Sequence, residues 1–109
     1  MDALLKQGAT REGRRHLAQN TGIDSTLILK WVNMADLYRV KGVGSEYSEL
    51  LEKSGVDTVK ELRNREPENL FNKMKQVNSK NQIVRQLPAL KNVKKWVSHA
   101  KKLDPKVTY

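Results

Sequence analysis

Apolar residues recur in this chain at steps of three and four, and nowhere do they alternate with polar ones. The clearest run is Leu27, Ile28, Trp31, Val32, Met34 and Ala35, which lays one apolar stripe along a helix. The spacing returns in Tyr47, Leu50 and Leu51, in Leu70, Phe71 and Met74, and in Leu90, Val93, Trp96, Val97 and Ala100. A period near 3.6 with no period of two leaves no strand to build a sheet from, so the reading is all-α. With 109 residues, 38% of them hydrophobic, the chain can bury one modest core, and one domain over residues 1–109 is expected.

Punctuation between the stripes predicts many short helices. Asp2 caps a first one that Gly8 closes, and Thr10 caps a second over Arg11 to Asn20. Gly22 suits the left-handed position after it. Asp24 or Ser25 opens a longer helix to about Leu37, with Trp31 expected in the core, and Ser45 to Lys53 forms the next. Thr58-Val59-Lys60-Glu61 has the form of a capping box, and Glu66-Pro67-Glu68 starts a helix with proline in its first turn. That helix is expected to break at Val77-Asn78-Ser79, with Ile83, Val84 and Leu87 in a further short helix. The last helix runs from about Ala89 to Leu103, where Asp104-Pro105 stops it, and residues 104–109 are expected to fray.

Two echoes run through the chain. Thr21-Gly22-Ile23-Asp24 returns as Ser54-Gly55-Val56-Asp57, a step of 33 residues. Lys30-Trp31-Val32 returns as Lys95-Trp96-Val97, a step of 65. They predict a compact bundle of two related helical units, residues 1–37 and 38–103.

The stretch with chemistry in it is Val40-Lys41-Gly42-Val43-Gly44-Ser45. Two glycines around one apolar residue make a turn too short for a strand crossover, and it opens a helix. The first amides of a helix have no internal partner, and the helix start carries partial positive charge, so anions and phosphate above all bind there. The tripeptide also fits a plain tight joint between helices. Charge bears on the choice: 21 Lys and Arg against 12 Asp and Glu give a formal net charge of +9. A basic balance draws polyanions, although it also keeps a small protein soluble.

The glycine turn, the helix after it, Gly55-Val56 and Thr58-Val59-Lys60-Glu61-Leu62 together resemble the helix-hairpin-helix family. The whole chain resembles one of the small uncharacterised families built from tandem copies of that motif. The resemblance implies sequence-nonspecific binding of DNA, ahead of RNA, with the amides of Val43, Gly44 and Ser45 on a backbone phosphate. It implies that Lys41 and Arg39 add charge beside the turn. Arg11, Arg14 and Arg15, at the corresponding turn of the first unit, would form a second contact. One position departs from the pattern: DNA-binding members place Lys or Arg just after the second glycine, and this chain has Ser45-Glu46. Motifs of this kind also join proteins, so a protein-interaction or scaffold module of the same fold is the alternative.

Other chemistry finds little footing. There is no cysteine, and His16 and His99 have no acids at ligand spacing, so no metal or cofactor is expected. Neither histidine has an orienting partner for a nucleophile, and the glycine turn lacks the Gly-Lys-Ser/Thr ending of a nucleotide loop. The reading is therefore not an enzyme. The lysines Lys91, Lys94, Lys95, Lys101 and Lys102 read as a solvated helix face, with a second nucleic-acid face as the weaker alternative. No apolar run reaches membrane-spanning length and no leader is evident, so a cytoplasmic location without a membrane partner is expected.

Overall fold

Four of the helices start where a polar side chain meets the first free amides. The computed structural model describes residues 2–109, with the backbone alone at Asp2, so the cap expected there lies outside the described part. Among the described residues there are seven helices and no strand. They are α1 (Asp2–Gly8), α2 (Arg11–Thr21), α3 (Ser25–Leu37), α4 (Ser45–Lys53), α5 (Val59–Arg63), α6 (Pro67–Asn81) and α7 (Leu90–Ala100). Thr10 Oγ1 accepts from the Gly13 amide at 3.0 Å, and Asp24 Oδ1 accepts from Thr26 at 2.7 Å. The Thr58 amide donates to Glu61 Oε2 at 3.1 Å, closing the capping box. Glu66 accepts from the Asn69 amide at 2.8 Å, with Pro67 in the first turn.

The interior forms two apolar clusters. Leu5, Ile28, Val32, Ala35 and Val107 make one, with α1 and α2 laid against α3. The other runs from Leu37 to Ala100 and centres on Leu50, Leu51, Leu62, Met74 and Val93, with α5 and α6 packed on α7. Burying each such side chain contributes about 1.5–3 kcal/mol, and these contacts hold the bundle against its chain entropy. The α1–α2 corner is tight: a Cβ on Gly13 would collide with the Gln7 carbonyl.

Four expectations need correction. Helix α6 does not break at Val77-Asn78-Ser79 but runs on to Asn81. Residues 83–88 form no helix, although Ile83, Val84 and Leu87 do pack on the core. The Asn78 side chain explains both points. Its Oδ1 accepts from the Val84 amide at 2.9 Å and its Nδ2 donates to the Val84 carbonyl at 3.2 Å. Those are the backbone groups a helix through Val84 would need for itself. Trp31 is 38% exposed and Leu27 41%, because α3 needs only Ile28, Val32 and Ala35 to close its cluster. Finally, residues 104–109 do not fray. Val107 is buried in the first cluster, and the Thr108 amide donates to the Ala9 carbonyl at 2.8 Å.

Candidate nucleic-acid interface

The turn between α3 and α4 is anchored by the apolar residues inside it. Val40 and Val43 are both buried in the second cluster, and the Val43 amide donates back to the Val40 carbonyl at 3.1 Å. Its two glycines do different work. Gly42 has φ 93°, a left-handed conformation that side chains resist, and a Cβ there would lie 3.0 Å from Trp96 Nε1. Gly44 has φ −100° and ψ −167°, extended backbone open to any residue, and nothing lies within 4 Å of where its Cβ would be.

Gly44 is the N-cap of α4 and has no side chain to cap with. Among the described residues, no group accepts from the amides of Gly44, Ser45 or Glu46. All three residues are exposed, so three donors face solvent at a helix start. The Val43 amide, expected among the phosphate donors, is already spent inside the turn. Glu46 stands in the first turn of α4, where its charge suits the helix dipole and opposes an incoming anion.

The turn rests on α7. The Lys41 amide donates to His99 Nδ1 at 3.1 Å. The Tyr47 ring meets Trp96 with centroids 5.3 Å apart and planes tilted at 50°, and its hydroxyl donates to the Gln86 carbonyl at 3.2 Å. Between turn and helix lies an open groove of about 680 Å³, lined in part by Lys41, Gly42, Lys94, Lys95, His99 and Lys102. The sequence reads the α7 lysines as a solvated helix face first and a second nucleic-acid face second; Lys94 and Lys95 line this groove. Lys95, His99 and Lys102 fall at steps of four and three, so one stripe was visible. What the sequence lacked was the knowledge that the glycine turn lands on that stripe.

Arg39, expected to add charge beside the turn, is committed to other partners. Arg39 Nη1 pairs with Asp36 Oδ1 at 2.7 Å, and its Nη2 donates to the Asp104 carbonyl at 2.8 Å. Asp36 is itself only 1% exposed, and its Oδ2 accepts from the Val59 amide at 2.8 Å. This pair therefore ties the end of α3 to the start of α5 and to the segment after α7. Arg39 does not line the groove.

Arg11, Arg14 and Arg15 line a second groove, of about 1060 Å³, between α2, the start of α3 and Tyr109. The two grooves share no lining residue. Arg14 is 5% exposed, and its guanidinium donates to the carbonyls of Gly8 at 2.9 Å, Ala9 at 3.2 Å and Thr108 at 2.6 Å. Burial holds it below the usual guanidinium range, opposed by Tyr109 and assisted by Arg11. Arg14 is thus a clamp on the returning tail, while Arg11 and Arg15 stay exposed.

Among the described residues, no three acidic, His or Cys side chains gather as a metal site would require, and no helix is long and apolar enough to cross a membrane. No curated protein and no solved structure matches the chain. A family model does, over residues 1–103: the chain belongs to the family described as Domain of unknown function (DUF4332).

Proposed function

We propose that this protein is a non-catalytic module that binds nucleic acid, DNA first, through backbone phosphate and without reading sequence. The observation that carries the reading is a run of three unpartnered amides at Gly44, Ser45 and Glu46 that follows directly in the chain from Lys41 and Gly42, which share a groove with Lys94, Lys95 and Lys102. Main-chain donors and lysines hold phosphate and position a duplex, but they carry no base code. The likeness of Val40–Ser45 to the helix-hairpin-helix turn supports the same reading. We also read the chain as two related units of that motif, on the echoes of Thr21-Gly22-Ile23-Asp24 in Ser54-Gly55-Val56-Asp57 and of Lys30-Trp31-Val32 in Lys95-Trp96-Val97.

The test is a fluorescence-anisotropy titration of a labelled duplex at two salt concentrations, on the wild type and on Gly44→Asp and Lys95→Glu. Gly44 has the extended backbone of an N-cap, so an aspartate there caps α4 and occupies the free amides. Gly44→Asp should keep or raise stability and lose binding; Lys95→Glu should weaken binding and flatten its salt dependence. Saturable binding that ignores Gly44→Asp would refute the phosphate site.

A second reading has its own observation. Leu27 and Trp31 stand exposed one turn apart on α3, away from both lysine groove and core, as a protein-interaction surface would present them. Trp31→Lys would then abolish a protein contact and leave duplex binding unchanged.

A further inference from the structure

The bond that seats the glycine turn on α7 has an imidazole as its acceptor. The Lys41 amide donates to His99 Nδ1 at 3.1 Å, which requires a lone pair on that nitrogen and hence the ring proton on Nε2. An imidazolium carries protons on both nitrogens and can accept from neither. Protonation therefore removes the bond, and it turns a neutral ring on the wall of the groove into a cation.

We propose that His99 couples proton uptake to anion binding in this groove: neutral, it holds the Lys41 amide; charged, it releases that amide and joins the lysines facing the ligand. The proposal takes the groove's ligand class from the nucleic-acid reading above, but the release of the amide does not depend on it. The ionisable groups that share the groove with His99 are Lys41 from the turn, Tyr47 from α4, Lys94 and Lys95 from α7, and Lys102 just past its end. Helices α5 and α6 also pack on α7, and neither puts a side chain into the groove. No carboxylate lines it. In the free protein the four ammonium groups oppose a fifth cation. A bound phosphate cancels that opposition, so ligand and proton each favour the other, by the same factor.

The experiment has two arms on the intact chain. In the first, amide and imidazole resonances are followed by NMR from pH 8 to pH 5. The Lys41 amide should move with the midpoint of the His99 ring, and its hydrogen exchange should accelerate beyond the ordinary pH trend at low pH. In the second, binding of tripolyphosphate and of a labelled duplex is measured across that range at constant ionic strength, for wild type, His99→Gln and His99→Lys. Linkage to one proton caps the gain at about tenfold per pH unit, so a rise of about fivefold or more from pH 7.5 to 5.5 is expected. His99→Gln keeps an acceptor and does not titrate, so its profile should follow only the protonation of the ligand's own phosphate and lack the gain toward acid seen in the wild type. His99→Lys should bind like the acid form throughout.

A Lys41 amide that ignores the His99 titration overturns the proposal whatever the ligand, as does a tripolyphosphate profile that is flat in the wild type or unchanged in His99→Gln. Tripolyphosphate binding that rises with acid, beside no duplex binding at any pH, would support the coupling and sink the nucleic-acid reading instead.

Discussion

Replacing Asp36 by alanine should be among the costliest single changes in this protein outside the apolar clusters. Its carboxylate is fully buried and serves two partners at once, Arg39 Nη1 at 2.7 Å and the Val59 amide at 2.8 Å. Without it the Val59 amide is stranded at the start of α5, at a cost of about 1–3 kcal/mol. The charge-assisted bond to Arg39 adds about 1.5–3 kcal/mol, discounted because Arg39 keeps 17% of its side chain in water and can rehydrate. The sum is about 3 kcal/mol, or about 12 °C in Tm for a chain of this size. Asp36→Asn retains an oxygen for the Val59 amide and should lose about half as much. Urea unfolding followed by circular dichroism reads both. A loss below about 1 kcal/mol for Asp36→Ala, or equal losses for the two variants, would refute the account of this carboxylate as a shared acceptor.

The two turn glycines should separate cleanly. Gly42→Ala forces a side chain into a left-handed backbone against Trp96 and should cost about 1–2 kcal/mol, whereas Gly44→Ala should cost about 0.5 kcal/mol or less; thermal melts compare them. Arg14→Met should free Thr108, seen as lost hydrogen-exchange protection of its amide, and lower stability by about 2 kcal/mol. Because that guanidinium is already desolvated, the salt dependence of duplex binding should not change with it. Asp57 is held above its ordinary 3.8, first by burial and then by the Glu52 charge. A raised carboxyl is harmless while protonated and a liability once ionised, so its cost is absent below the unfolded pKa and grows as pH rises through the folded one. Asp57→Asn should therefore raise stability at pH 7 and not at pH 3, by less than about 0.5 kcal/mol for this partly exposed side chain, as urea unfolding at the two pH values would read.

The caps at Thr10, Asp24, Thr58 and Glu66 were legible because each is settled within four residues of itself. The tryptophans show where such legibility ends. Lys30-Trp31-Val32 and Lys95-Trp96-Val97 carry the same tripeptide, yet Trp31 stands in solvent and Trp96 is 3% exposed under the glycine turn. Nothing local distinguishes them; what differs is whether another element arrives to cover the ring. The candidate site divides in the same way. Its turn could be read from Gly42 and Gly44, but part of what holds Arg14 and Arg39, the carbonyls of Thr108 and Asp104, lies far along the chain from them. Lys94 and Lys95 show the reverse: their own helix reads as plain surface, and a distant loop settles beside them.

Val107 has a consequence for how the molecule is made. The cluster holding Leu5, Ile28, Val32 and Ala35 is finished by a residue that the ribosome adds some hundred positions after the first of them. Helices α1 to α3 can form early, but they must wait through most of synthesis with one apolar side uncovered, a period in which chaperones or neighbouring chains compete for it. Closing so long a loop is a slow and late event, and this cluster is complete only once it has happened.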